Sequence, residues 1–122
     1  SRKDHTMSRV YYIDESTLIN ENGWFKFDVI SSFDSYGYHV EIKVYDQPSE
    51  YGIQGGRISK LEIVDNRYPR KEYGWEGVRV SYDRNWDISL TLQTPDPLCV
   101  KDVYFLVVDL FNYEPSAYEE RN

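Results

Sequence analysis

One loop carries the residue types of an anion-binding site. In the stretch SEYGIQGGRISKL, glycines that permit positive φ and expose backbone amides stand next to an arginine, a serine and a lysine, which can donate to a phosphate or carboxylate. No helix pattern follows, so the loop is neither a P-loop nor a dinucleotide fingerprint. The predicted ligand-binding residues are Gly55, Gly56, Arg57, Ser59, Lys60 and, from a later turn, Arg84. Alternatively, the stretch is only a hairpin loop in which Ser59 faces the core and Arg57 pairs with an acidic residue.

A second candidate is the turn YDRNWD, in which Asp83 and Asp87 flank two polar residues. Two carboxylates can act as a general acid and base or bind a hard cation. The same residues are also typical of a turn, because an aspartate side chain can form a hydrogen bond with the backbone two residues later. In that interpretation Trp86 packs in the core next to Tyr82 and Ile88 and serves structure.

Other catalytic chemistry is poorly supported. Apart from His5 the chain has only His39, so neither a catalytic triad nor a zinc site with two histidines is available. The single cysteine, Cys99, has no basic neighbour before Lys101, and we expect a small buried residue rather than a nucleophile. The sequence therefore predicts no catalytic residues, no metal and no cofactor.

Aromatic residues make up 16% of the chain, which exceeds what a modest core can hold. Some must be exposed, and Tyr and Trp are the usual anchors of recognition surfaces. The stretch RYPRKEYGWEG combines three of them with basic residues. Its alternative interpretation is a solvated loop whose tryptophan folds back on the sheet. The predicted interaction surface consists of Tyr51, Tyr68, Tyr73 and Trp75.

Length and charge narrow the class of protein. The chain has 122 residues and a formal net charge of -7, so a phosphate backbone would not attract it and nucleic-acid binding is disfavoured. No run of about 18 apolar residues is present, so we expect no membrane-spanning helix. One cysteine cannot form an internal disulfide and fits a reducing compartment, which predicts a cytoplasmic protein.

The chain reads as one domain. We interpret residues 1–6, SRKDHT, as an expression remnant because they carry no apolar pattern and precede a methionine. Residues 7–114 are expected to form a single α+β domain, and residues 115–122 a flexible tail.

Most of the domain shows the period of β-strands. Apolar and polar residues alternate in GWFKFDVIS, YHVEIKVYD, RISKLEIV, GVRVSYD and WDISL, and a short VYYID precedes them. The stretch SFDSYG has turn residues and predicts a hairpin between the first two. Because every strand is amphipathic, we expect an antiparallel sheet with one face open to water.

The C-terminal segment has a helical pattern. Asp96 is a good N-cap and a proline follows at the first helical position. The residues expected to face the sheet are Val103, Leu106, Val107, Leu110 and Phe111. The block VYFLVV is also compatible with a buried strand, but the length and the cap favour a helix. The predicted fold is α+β, a five- to six-stranded mainly antiparallel sheet with one C-terminal helix packed on one face.

Two stretches carry a family resemblance. YDQPSEYGIQGGRISKL and VSYDRNWDI resemble DUF7678, a small domain of unknown function that occurs in phages, other mobile elements and their bacterial hosts. Asn85 stands where the family has glycine, a mild departure because Asn tolerates the left-handed turn conformation. The resemblance implies a phage or mobile-element protein but does not imply any activity.

Three functional hypotheses follow. The first is a small, acidic, non-catalytic binding or accessory protein of a phage or mobile element. It would act in the host cytoplasm by protein–protein interaction, for instance by inhibiting a host factor. The second is a binder of a small anionic ligand or nucleotide through the Gly55–Lys60 loop. The third is a hydrolase-like enzyme that uses Asp83 and Asp87. The expected partner is thus a protein, or else a small anion, and a homodimer is compatible with all three.

Overall fold

The computed structural model of the protein describes residues 11–89, 97–115 and 119, with the side chains of 97–99 left aside. Its strands are β1 (Tyr11–Glu21), β2 (Trp24–Ser31), β3 (Asp34–Val44), β4 (Ile58–Asp65), β5 (Val78–Asp83) and β6 (Trp86–Ile88). Its helices are α1 (Arg70–Tyr73) and α2 (Pro97–Phe111). The expectations for residues 1–6, the Asp96 cap, the Cys99 side chain and most of the tail lie outside the described residues. Within the described ranges, no helix is long and apolar enough to cross a membrane.

The six strands form a meander in chain order, β1-β2-β3-β4-β5-β6, and every neighbouring pair is antiparallel. The α+β prediction of a five- to six-stranded antiparallel sheet is therefore confirmed. The two-residue turn between β1 and β2 holds Asn22 and Gly23 at φ 54° and 84°. Two positive φ angles match the twist of the flanking strands, and Asn-Gly is the favoured pair for such a turn.

The sheet buries one face and leaves the other open to water. Alternating residues of β2, β3, β4 and β5 form the core, among them Phe27, Val29, Val40, Ile42, Ile63 and Val80, each 0% exposed. The residues between them are mostly charged and, apart from the buried Ser81, are partly or fully exposed. We call this second side, opposite α2, the open face. It carries Trp24, Lys26, Asp28, His39, Glu41, Lys43, Lys60, Glu62, Ser81 and Asp83.

The C-terminal helix covers the apolar face, as predicted. Its buried residues are Val100, Val103, Tyr104, Val107, Val108 and Phe111. Leu106 and Leu110, which were also expected to face the sheet, are only partly buried and pack against the core. The helix is thus turned so that Tyr104 and Val108 face the sheet. Phe111 packs against Phe25 and Phe27, with ring centroids 5.1 and 5.7 Å apart.

The prediction that Trp86 belongs to the core is wrong. Its side of the sheet was predicted correctly, because its ring lies 4.8 Å from Tyr82 and 6.0 Å from Tyr104 of α2. However, β6 is a three-residue strand at the edge of the sheet, and nothing described flanks it on the outer side. Trp86 consequently remains 40% exposed.

We expect Phe111→Ala to lower the free energy of unfolding by about 3–5 kcal/mol, because it removes a fully buried ring and leaves a cavity between α2 and β2. Phe105→Ala, on the same helix but 45% exposed, is the matched control and should change stability by about 0.5 kcal/mol or less. Equal losses in urea denaturation would contradict the observed orientation of the helix.

Candidate functional site

The glycine loop between β3 and β4 is a dock for the end of α2. It contains a 3-10 turn, Ile53–Gly55, and the side chain of Asn112 lies against it. The Asn112 amide donates from Nδ2 to the Ile53 carbonyl and accepts at Oδ1 from the Ile58 N–H, each at 2.9 Å. A Cβ at Gly56 would lie 2.4 Å from Asn112 Nδ2, so this position has no room for a side chain. The loop is therefore shaped to receive the helix end.

The predicted anion donor of this loop, Arg57, is 4% exposed and already holds a carboxylate. Its Nε donates to the Tyr45 carbonyl at 2.9 Å, and its Nη1 to the Phe111 carbonyl at 3.1 Å. The fork then binds both oxygens of Glu119, with Nη2 at 2.6 Å and Nη1 at 3.3 Å. The anion bound beside the glycines is the chain's own. An ion pair between Arg57 and an acidic residue is the contact that the hairpin-loop interpretation expects.

The other predicted ligand-binding residues are divided between the two sides of the sheet. Ser59 is 1% exposed on the helix side, as the hairpin interpretation expects. Lys60 points to the open face, with Nζ 3.8 Å from Asp83 Oδ1. Gly55 is exposed, with φ 71°, and Arg84 is exposed, with φ 62°. Lys60 and Arg84 both pair with Asp83, whereas Arg57 pairs with Glu119 and lies apart from them, so the ligand site remains a prediction.

In the turn that carries Asp83 and Asp87, the residue with the left-handed backbone conformation is Arg84, not Asn85. Asn85 contributes its side chain instead, because its Oδ1 accepts from the Trp86 N–H at 2.9 Å. Asp83 and Asp87 both line a groove on the open face, which is described below, but Asp83 is paired with Lys60 and Arg84. Within the described ranges, no three His, Cys, Asp or Glu residues form a group that could hold a metal ion.

Exposed aromatic rings gather where the β2–β3 turn meets the β4–β5 loop. We call this the loop-end patch and define it by Tyr36, Tyr68, Tyr73 and Trp75, which are 36–61% exposed. Tyr68 and Tyr73 meet edge to face at 5.4 Å. The fourth ring predicted with them, Tyr51, is exposed but lies in the β3–β4 loop at the opposite end of the sheet.

Three arginines hold the rings of the loop-end patch. A guanidinium over an aromatic face is attracted by the ring quadrupole. Each of these arginines also pairs with a carboxylate, which fixes its position. The stacked pairs, from guanidinium carbon to ring centroid, are Arg67–Tyr36 at 5.1 Å, Arg79–Tyr68 at 5.7 Å and Arg70–Trp75 at 4.3 Å.

Beneath the loop-end patch, two nearly buried carboxylates tie the strand ends together. Arg67 bonds Asp34 at 2.9 Å and Asp65 at 3.3 Å, and Arg79 bonds Asp65 at 3.3 Å. Desolvation lowers the pKa of Arg67, but the attraction of Asp34 and Asp65 outweighs it, so the pKa lies above its ordinary value. Arg67 and Arg79 are thus neutralised locally by these two carboxylates.

A histidine on the open face is clamped between two carboxylates. His39 Nδ1 lies 3.0 Å from Asp28, and Nε2 lies 3.0 Å from Glu41. The hydrogen bond with Asp28 raises the pKa of His39 most; burial opposes it, and Glu41 raises it further. The pKa therefore lies above 6.5, and the protonated ring is the form that satisfies both carboxylates.

Next to the clamp, the open face contains a groove of about 320 Å³. Trp24 and Trp75 line it together with charged residues, including Glu41, Lys60 and Glu62. Desolvation raises the pKa of Glu62, and the neighbouring charge of Glu41 adds to this, although Arg70 opposes it. The groove is thus a polar site with aromatic walls rather than an apolar pocket.

Sequence reasoning missed the partners that are distant along the chain. The His39 clamp had a local signal, because His39 and Glu41 alternate on one strand, but Asp28 enters through the register of β2 with β3. Glu119 is 62 positions from Arg57, and no periodicity connects them. Asn112 could have been suspected only as the polar residue directly after the helix.

The comparisons with known proteins give one match. The model of a family described as "Domain of unknown function (DUF7678)" matches residues 23–112, from the β1–β2 turn to the residue after α2. No curated protein and no solved structure matches the chain.

We expect Glu119→Gln to lower the free energy of unfolding by about 1.5–3 kcal/mol, the range for a hydrogen bond to a charged group, because Arg57 is left buried without its counter-ion. Glu72→Gln, an exposed change on α1, should cost about 0.5 kcal/mol or less. If both variants melt like the wild type, Glu119 does not anchor the segment after α2.

The His39 clamp predicts a pH dependence of stability. Because the pKa of folded His39 is raised above 6.5, the clamp stabilises fully below that pH, and its contribution is lost as pH rises through the folded pKa. His39→Gln should remove this loss. Denaturant midpoints of both proteins between about pH 6 and 9, where the carboxylates stay ionised, measure it. An equally steep decline in both would show that another group causes it.

Proposed function

Because the chain belongs to the DUF7678 family, a domain to which no activity is attached, we propose a function from its surface: it is a small, acidic, non-catalytic binding protein. It acts by contact with another protein, and the loop-end patch is the contact surface. The net charge of -7 and the aromatic content of 16% are compatible with such a role.

The exposure of the loop-end patch, with its rings stacked on ion-paired arginines, is the observation that carries the proposal. Trp, Tyr and Arg are the residues in which binding energy concentrates at protein interfaces. Here Trp75 is 58% exposed and stacks on Arg70 at 4.3 Å, so its ring is presented in one orientation. A preorganised side chain loses less entropy on binding, which favours recognition of a partner.

The proposal extends to a setting and a mode of action. The protein acts as an accessory protein of a phage or mobile element in the cytoplasm of a bacterial host, and inhibits a host factor by covering its surface. The DUF7678 resemblance supports the setting, and the single cysteine is compatible with a reducing compartment.

The two alternatives have less support in the geometry. An anionic ligand or nucleotide would have to displace Glu119 from Arg57, which is 4% exposed. A hydrolase would need Asp83 or Asp87 to have a proton-transfer role, whereas Asp83 is exposed and paired with two cations. Both alternatives would require a rearrangement of existing ion pairs, while the loop-end patch is accessible as it stands.

The test is quantitative capture of host proteins on immobilised wild type, Trp75→Ala and Trp86→Ala. We expect Trp75→Ala to lose a specifically captured partner by at least about tenfold, since hot-spot truncations cost about 2 kcal/mol or more. Trp86→Ala, an exposed tryptophan at another edge, is the matched control and should retain the partner. Thermal melts check that both variants are folded.

A partner retained by Trp75→Ala but lost in Trp86→Ala would move the contact surface to β6. Capture that is lost equally in both variants would count against a defined surface of either kind.

A further inference from the structure

The open face carries an unusual pairing of like charges. In the register of β3 with β4, Glu41 lies directly opposite Glu62, and Lys43 directly opposite Lys60. Like charges at opposed positions destabilise a sheet, and a strand pair normally avoids them. Burial raises the pKa of Glu62 and Arg70 opposes this, while the charge of Glu41 adds to the rise, as expected for an opposed acidic pair.

Each of these four charged side chains has a partner within its own chain. Glu41 bonds His39 at 3.0 Å, and Glu62 bonds Arg70. Lys60 lies 3.8 Å from Asp83. Lys43 donates to the Asn22 carbonyl at 2.8 Å. The side chains are therefore ordered as two short rows that cross the strands, one acidic and one basic.

The two rows are adjacent along the strands. Glu41 and Lys43, like Lys60 and Glu62, are two residues apart, which separates the rows by about 6.5–7 Å. A surface complementary to them must present a basic row over the acidic one and an acidic row over the basic one, at the same spacing. The open face itself has that pattern.

We propose that the open face is a self-association surface and that its occupant is a second copy of this chain. The two-fold axis lies in the plane of the interface, perpendicular to the strands and between the two rows. Rotation about this axis places each strand over the same strand of the second copy, which runs in the opposite direction. Glu41 then faces Lys43 of the second copy, and Glu62 faces Lys60 of the second copy. One symmetry operation satisfies both like-charged pairs, as an isologous dimer requires.

The neighbouring strands agree with this operation. On β2, Lys26 pairs across to Glu41 and Trp24 to Lys43, so Lys26 and Trp24 continue the two rows. The operation places Lys26 next to Trp24 of the second copy, whose ring centroid lies 5.6 Å from Lys43 Nζ and 5.8 Å from Lys60 Nζ of its own chain. On β5, Ser81 and Asp83 continue the two rows. The operation places Ser81 opposite Asp83 of the second copy, whose carboxylate can accept a hydrogen bond from the serine hydroxyl group. The hollows that share Trp24 and Glu41 leave room for the opposing side chains.

The expected association is weak and depends on salt. The contacts are charged and partly exposed, so each is worth at most about 1 kcal/mol, and two copies of net charge -7 repel each other at long range. At about 0.15 M salt, screening limits that repulsion to about 8 Å while the opposed rows still attract. The dimer should therefore form at moderate ionic strength and dissociate at high salt.

The decisive experiment is charge exchange, followed by sedimentation velocity at increasing concentration. Lys43→Glu combined with Lys60→Glu makes both rows acidic, and Glu41→Lys combined with Glu62→Lys makes both rows basic. Each variant alone should be a monomer, while the wild type shows a concentration-dependent dimer. An equimolar mixture of the two should dimerise, because acidic rows then meet basic rows throughout. Rescue in the mixture would identify this face.

Two further variants keep the proposal falsifiable if a charge-reversed variant fails to fold. Lys43→Gln with Lys60→Gln, and Glu41→Gln with Glu62→Gln, should each weaken the dimer at least about tenfold, which thermal melts would separate from unfolding. A wild type that stays monomeric, a dimer unaffected by these changes, or a mixture without rescue would overturn the proposal. The charged rows do not include the exposed rings of Tyr36, Tyr68 and Tyr73, so failure of self-association leaves the proposed function untouched.

Discussion

The attachment of α2 to the glycine loop is the interaction on which the rest of the structure depends. A meander sheet pairs each strand with its neighbour along the chain, so it is held locally, but its apolar face requires a cover. The cover ends at Asn112, whose amide bonds both sides of the loop, and Arg57 N–H donates to the Asn112 carbonyl at 2.8 Å. Gly56 is needed for this close approach. The loop that resembles a ligand cradle is thus part of the core's closure.

One consequence is that the two faces of the sheet are independent in chemistry. The helix side carries the stability through buried aromatic and branched residues, so the charges of the open face are not needed to close the core. They are nevertheless ordered by a network that runs from Asp28 through His39 and Glu41. A surface of this kind can be kept for recognition, because changing it costs little of the fold.

The elements with a strong local pattern were predictable, and the contacts between them were not. The alternation of apolar and polar residues located the strands, and the helical stripe located α2. The stripe did not give the rotation of the helix about its axis, because Tyr104 and Val108 are compatible with a buried or an exposed position. Trp86 was misjudged because a sequence does not show that a strand is at the edge of the sheet. The exposure of the predicted aromatic residues followed from their number, whereas the stacking of Arg70 on Trp75 depends on how the β4–β5 loop folds.

The bond between Arg57 and Glu119 has a meaning for the order of events during synthesis. The strands can pair one after another as the chain leaves the ribosome, since each needs only its predecessor. The buried guanidinium, however, waits for a carboxylate made 62 residues later. Until α2 has been synthesised, the apolar side of the nascent sheet lacks its helix and is a surface for chaperones or for aggregation. Closure of the buried ion pair is therefore tied to a residue translated well after the strands, and termination before α2 would release a sheet without its cover.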